Sequence, residues 1–151
     1  MRLTYSCRCG SSRVAVDGEP IGRFICHCLI CQAVYKKPFA DVTVFDARAV
    51  SPIEPHSILF KKYRRPPAVD RGLCSNCGDP VVGFLSAPPL PRRAFVPSKY
   101  LEAEPLARAP LRHIFYHRRV RDVADDIPKI SGYWPSELFL IGMIYFGLFR
   151  R

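Results

Sequence analysis

At 151 residues the chain is long enough for one buried core and too short for two independent ones. Its apolar content of 48% is that of an ordinary globular protein, while 15 prolines and 9 glycines argue against long helices and for short strands with frequent turns. A formal net charge of +10 suits nucleic acid, an anionic membrane surface or a small acidic ligand, but the basic residues fall into short runs (Lys61-Lys62-Tyr63-Arg64-Arg65, Arg92-Arg93, Arg118-Arg119-Val120-Arg121) that match no nucleic-acid motif.

The N-terminus runs into Cys7 without an apolar signal segment, so a cytoplasmic location is expected, with the cysteines reduced and available as metal ligands. Residues 4–7 and 13–16 read as two short strands, with Gly10-Ser11-Ser12 turning the chain and Cys7 and Cys9 at the hairpin tip. Residues 22–25 are a further extended piece that delivers Cys26. Residues 29–35 suit about two helical turns, stopped by Pro38. Residues 40–45 alternate as a half-buried strand should, and 57–63 form another, with Pro52 and Pro55 in the intervening loop. The stretch Arg71-Gly72-Leu73-Cys74-Ser75-Asn76-Cys77-Gly78 reads as a zinc knuckle, the glycine after the second thiol permitting the tight turn that aims backbone amides at sulfur. Residues 81–85 and 94–96 complete the strands.

The tail is almost wholly apolar from Leu138 to Phe149 and too short for a membrane span of about 20 residues. Ser136 after Pro135 reads as an N-cap, with Glu137 in the first turn and Gly142 and Gly147 as weak points. Ile141, Ile144, Tyr145 and Leu148 recur at helical spacing. Two parts are therefore expected: a zinc-binding domain over residues 1–135 and an apolar helical tail over 136–151. The tail packs on the domain, forms a homodimer interface, or lies on a membrane surface.

The seven cysteines sort by spacing. Cys7, Cys9, Cys74 and Cys77 supply the four thiolates of a closed, structural zinc site. Cys26, Cys28 and Cys31 remain, and three ligands leave one position of a zinc tetrahedron open, the mark of a catalytic site. On extended chain Cys26 and Cys28 face one way and His27 the other, which suits His27 to supporting or packing roles.

These residues carry a resemblance. Cys7-Arg8-Cys9-Gly10, Cys26-His27-Cys28-Leu29-Ile30-Cys31, Pro38-Phe39, Cys74-Ser75-Asn76-Cys77-Gly78-Asp79-Pro80 and Pro110-Leu111-Arg112-His113-Ile114 together resemble the glutathione-dependent formaldehyde-activating enzymes, which share a domain with centromere protein V. The resemblance implies a mainly β fold, a β-tent of small antiparallel sheets tied by zinc. It also implies one structural and one catalytic Zn2+ on the two cysteine sets, and carbon–sulfur lyase activity that makes or breaks S-hydroxymethylglutathione. The chain departs from its relatives at Lys36-Lys37, where they carry small residues, and at Pro97-Ser98-Lys99-Tyr100-Leu101-Glu102, where they carry a Gly-Thr-Leu-Asp run. Long cations at such a position change the shape of a pocket or its substrate, and Lys36 and Lys37 are candidates to pair with a substrate carboxylate.

The expected function is reversible carbon–sulfur bond chemistry between a small thiol such as glutathione and an aldehyde or other small electrophile. The thiol's sulfur takes the fourth position beside Cys26, Cys28 and Cys31. His27, His56, His113 and His117 are the candidate proton carriers by chemistry alone, with His113 and His117 better suited to packing or surface roles. The alternative is a non-catalytic, zinc-stabilised module whose basic face meets nucleic acid or an acidic protein, with nucleic acid the less favoured partner.

Overall fold

Alternation along the strands divides the apolar side chains between two cores, one on each face of a large sheet. The computed structural model describes residues 2–65, 68–102 and 106–147. Among them, β1 (Arg2–Ser6), β2 (Arg13–Asp17) and β5 (Val50–Pro52) form a three-stranded antiparallel sheet in the order β1-β2-β5. The second sheet contains β3 (Gly22–Cys26), β4 (Ala40–Asp46), β6 (Ile58–Lys62), β7 (Val69–Cys74), β8 (Pro80–Leu85), β9 (Arg93–Pro97) and β10 (His113–Ile114). Its order is β10-β3-β4-β9-β8-β7-β6, antiparallel except where β10 runs parallel to β3. The helices are α1 (Leu29–Tyr35) and α2 (Tyr133–Phe146). The expected class, mainly β with antiparallel sheets and a short C-terminal helix, is the one observed.

Strand β4 shows how the cores are divided. Phe45 packs with Val14, Val16 and Val50 of the small sheet, together with Val81, Ala94 and Val96. Val42 and Val44, on the opposite face, pack with Phe24, Ile114 and the α2 residues Phe139, Met143 and Ile144. The large sheet thus carries the small sheet on one face and the C-terminal helix on the other.

Helix α1 has the expected limits, but it ends at Lys36, in the left-handed conformation with φ 52°, before Pro38 is reached. Three strands depart from the sequence reading. Strand β5 lies where a loop was expected, at the edge of the small sheet, a position that tolerates Pro52. Strand β10 is only two residues long. Strand β7 takes in the first half of the knuckle stretch and has charged Asp70 and Arg71 in place of an apolar alternation.

Helix α2 starts earlier than expected. Its cap is Gly132, so Ser136 lies inside the helix, buried, where its Oγ donates to Gly132 O at 2.7 Å and accepts from Phe115 N at 2.8 Å. Glu137 sits in the second turn and pairs with Arg64 at 3.4 Å. Gly147 is not an interior weak point: it closes the helix in the left-handed conformation, its N–H bonded to Gly142 O. The buried face carries Phe139, Met143 and Ile144, whereas Leu138 and Ile141 face outward. Leu148, Phe149 and the two terminal arginines lie outside the described residues. No helix among the described residues is long and apolar enough to cross a membrane.

Met143 is fully buried and Leu138 is 64% exposed, so the two faces differ in what they contribute. Met143→Ala is expected to cost about 2–5 kcal/mol in denaturant unfolding, and Leu138→Ala to stay within about 0.5 kcal/mol of the parent. Equal effects would mean that α2 does not dock as described.

Candidate metal centres and the cavity between the helices

Two thiol clusters are brought together, Cys7 with Cys9, Cys74 and Cys77, and Cys26 with Cys28 and Cys31; in each, the sulfurs lie within 4.8 Å of one another. In the first, Cys7 and Cys9 lie in the β1–β2 turn, Cys74 ends β7, and Cys77 follows in the knuckle. Each half closes on a left-handed glycine, Gly10 at φ 79° and Gly78 at φ 77°. Their N–H groups bond to Cys7 O at 3.0 Å and Cys74 O at 2.9 Å. A side chain would find open space at either position, so the backbone conformation, not crowding, is what favours glycine. Arg8 bridges the halves by donating to Cys77 O at 2.9 Å.

The sulfurs fit a metal rather than a disulfide. Cys7 and Cys9 Sγ are 3.4 Å apart, and Cys9 and Cys74 Sγ 3.7 Å, far beyond an S–S bond of about 2.05 Å. They approach the edge of about 3.8 Å that a tetrahedron with zinc–sulfur bonds of about 2.3 Å requires. All seven cysteines are free.

In the second cluster Cys26 ends β3, Cys28 caps α1, and Cys31 lies in its first turn. Cys28 Sγ accepts the Cys31 N–H at 3.3 Å. Hydrogen bonding from Cys26 and Cys31 pulls the Cys28 thiol down to about 2, and the same bonding to Cys28, reinforced by Cys31 and burial, pushes Cys26 up. One thiolate is stabilised at the expense of its neighbours. Ionising all three side by side calls for a cation, and a soft thiolate set suits zinc.

This cluster lies on a cavity of about 360 Å³ over the α-helical face of the large sheet, with α1 on one side and α2 on the other. Phe24, Val42, Val82, Phe95 and Ile144 are among its apolar walls, and Arg71 of β7 lines it as well. Lys36 and Lys37 do not line it. They border a separate cavity of about 370 Å³ with Arg8, Asp41, Asp79 and Lys99, which includes Cys77 but none of Cys26, Cys28 and Cys31.

The four histidines separate clearly. His56 is exposed in a short turn, and His117 lines the cavity, its Nδ1 accepting from Gly132 N at 2.8 Å. His27 and His113 are buried and bonded to each other, Nε2 to Nδ1, at 2.8 Å. His113 Nε2 meets Asp125 Oδ2 at 2.8 Å, and Lys129 Nζ meets Asp125 Oδ1 at 2.5 Å. The Lys129 hydrogen bond, helped by His113, holds Asp125 down at about 2, so its carboxylate accepts from His113. His113 Nδ1 is then an acceptor, His27 donates from Nε2, and His27 Nδ1 remains a buried acceptor without a partner among the described residues. Burial, followed by His113, pulls His27 down to about 4 and keeps it neutral.

The chain of contacts acts on the backbone that carries the thiols. His27 N donates to Ile114 O at 3.0 Å and Ile25 N to Arg112 O at 3.0 Å, while His113 is itself held by Pro128 O and Ile130 N. Asp125 and Lys129 belong to no motif, and Arg71, which opens the knuckle stretch, had no role of its own in the sequence. The available signal for Arg71 was its place on β7 in line with Val69, where alternation puts a charge on the same side as an apolar residue.

His113→Ala leaves the buried His27 Nε2–H without its acceptor, while Asp125 keeps Lys129 and Ile127, and is expected to destabilise the protein by about 1–3 kcal/mol. The accompanying sign is faster hydrogen exchange at the amides of Ile25 and His27. Unchanged exchange there would contradict a positioning role.

The comparisons with known proteins agree with this arrangement. No curated protein matches the chain. A crystal structure of a Rhodobacter sphaeroides structural-genomics protein shares the fold, with a TM-score of 0.54 and 14% identity over 85% of this chain and 100% of that one. The family model described as glutathione-dependent formaldehyde-activating enzyme matches residues 2–118, which hold both cysteine clusters, and the chain belongs to that family.

Proposed function

We propose that the protein is a zinc-dependent carbon–sulfur lyase that makes or breaks the adduct of a small thiol, glutathione in the family's type reaction, with formaldehyde or another small electrophile. The observation that carries the reading is a cluster of three thiols, not four, facing a cavity large enough for a small molecule. In this reading Cys7, Cys9, Cys74 and Cys77 hold a structural zinc, and Cys26, Cys28 and Cys31 hold a second one with a free position. A zinc ion held there would favour the thiolate form of a bound thiol and polarise a carbonyl oxygen.

The chain's own residues supply the rest. The cavity walls exclude water from the reacting groups, and the His27–His113–Asp125 chain keeps the strand bearing Cys26 in place. In the addition, sulfur loses its proton, the C–S bond forms, and the carbonyl oxygen gains a proton. We assign that proton transfer to His117, the histidine that lines this cavity among the described residues.

The basic surface supports an enzyme more than a nucleic-acid module. Arg8, Arg13, Arg23, Lys62, Arg64 and Arg119, among others, are each paired with a carboxylate and spread over separate elements rather than one stripe. A reducing, cytoplasmic setting suits seven unpaired thiols. In this reading the tail beyond the 1–135 domain also offers Leu138 and Ile141 to a second copy of the chain, which light scattering across a concentration series tests.

Elemental analysis of protein purified without chelator is expected to give two zinc ions per chain. Cys28→Ala should lose one of them and stay folded, whereas Cys74→Ala should unfold the domain, because binding a structural metal is itself folding free energy. A ceiling of one zinc under saturating metal contradicts the two-site reading. NMR exchange between free formaldehyde and its glutathione adduct should accelerate with the zinc-loaded protein, and His117→Gln should reduce that acceleration about a hundredfold; no acceleration with any thiol rules out the lyase.

A further inference from the structure

The cavity beside Cys26, Cys28 and Cys31 is poorly matched to glutathione. That tripeptide carries two carboxylates, an ammonium group and two amides along its backbone, and each needs a partner when it leaves water. Its apolar walls include Phe24, Val34, Val42, Val82, Phe95 and Ile144, none of which supplies one, and the hydroxyls of Tyr35 and Tyr145, which also line it, are neutral and cannot balance a carboxylate or an ammonium. At the mouth, Arg64 and Glu137 are already engaged with each other at 3.4 Å, and Tyr133 Oη accepts from Arg64 at 3.1 Å. The charged cavity that contains Lys36, Lys37 and Lys99 does not include any of the three thiols.

Of the arginines that line the cavity, Arg64 pairs with Glu137, Arg118 is exposed, and Arg71 is the one carried by the large sheet. It is half-buried, and no carboxylate or hydrogen-bond partner meets it among the described residues. Arginine keeps its charge throughout the working pH range, so the guanidinium is present as a cation in the cavity wall. Its neighbours across the two ladders are Gly83, which presents no side chain to compete for it, and Lys61, a like charge that cannot pair with it. A guanidinium beside sulfur ligands can grip a carboxylate on the atom next to a bound sulfur, with two parallel hydrogen bonds.

We propose that this cavity takes a small thiol with an apolar body and one acid group, its sulfur at the three-cysteine end and its carboxylate on Arg71, in preference to glutathione. The inference rests on the reading of Cys26, Cys28 and Cys31 as an open site, and deepens it by naming the class of thiol.

The test uses the full-length, zinc-loaded protein and isothermal titration calorimetry with 2-mercapto-3-phenylpropionate, 2-phenylethanethiol and glutathione. The aryl mercapto acid is expected to bind about tenfold or more tightly than either of the others. Arg71→Gln should abolish its advantage over the neutral aryl thiol while leaving the neutral thiol within about twofold, a selective loss that a counterion role for Arg71 toward the cysteines does not produce. Should that variant fail to fold, the ranking of the three thiols on the unaltered protein decides alone. Glutathione binding as tightly as the mercapto acid, or Arg71→Gln weakening all three alike, overturns the inference. Cobalt-substituted protein separates this from failure of the underlying reading: if no thiol changes the sulfur-to-cobalt charge-transfer band, the open site itself is refuted, whereas a band that responds most to glutathione refutes only the preference.

Discussion

Sulfur atoms held within 4.8 Å of one another resist ionising together, and the fold is arranged around two places where this conflict is imposed. At the first, Cys7 and Cys9 leave the small sheet while Cys74 and Cys77 leave the far side of the large one. Bringing them together clamps the sheets at the edge of the core formed by Val14, Val16, Phe45 and Val81. A cation that removes the repulsion stabilises the clamp and, through it, the tertiary structure. The left-handed glycines after Cys9 and Cys77 let both halves turn back on themselves and present their sulfurs from opposite sides.

The second place lies on the other face of the same sheet. Cys26 is fixed by the ladder, Cys28 and Cys31 by the start of α1, and the arrangement leaves an approach from the cavity instead of a fourth cysteine. Helix α2 forms the opposite wall. It is held by the buried Ser136 hydroxyl, by the Arg64–Glu137 pair, and by Arg93, which donates to Ile144 O at 3.0 Å and pairs with Asp46 at 3.0 Å. The tail is therefore part of what shapes the cavity, and its sequence influences which molecule can enter.

Much of this was legible in the chain because cysteine spacing is a local signal. A thiol pair followed by glycine marks a tight turn that presents both sulfurs, and the three thiols left over mark a second cluster. Alternation likewise revealed β4, whose two faces are both apolar but serve different cores. The pattern failed at β7, where Arg71 breaks the apolar alternation and hid that strand. It also failed where structure depends on distant partners. Strand β10 is two residues long and exists through β3 and the segment around Lys129, and the His27–His113–Asp125 chain joins positions that no spacing relates. At α2, Ser136 has the chemistry of a cap, but tertiary contacts with Phe115 place it one turn inside the helix.

The central claim is that one thiol cluster is complete and the other is completed by a substrate thiol. X-ray absorption at the zinc edge, on fully loaded protein before and after addition of thiol, tests this most directly. The account predicts an average between three and four sulfurs per zinc at the start, rising to four when the thiol is added. Four sulfurs per zinc from the outset, or an average that does not move with any thiol, would contradict it.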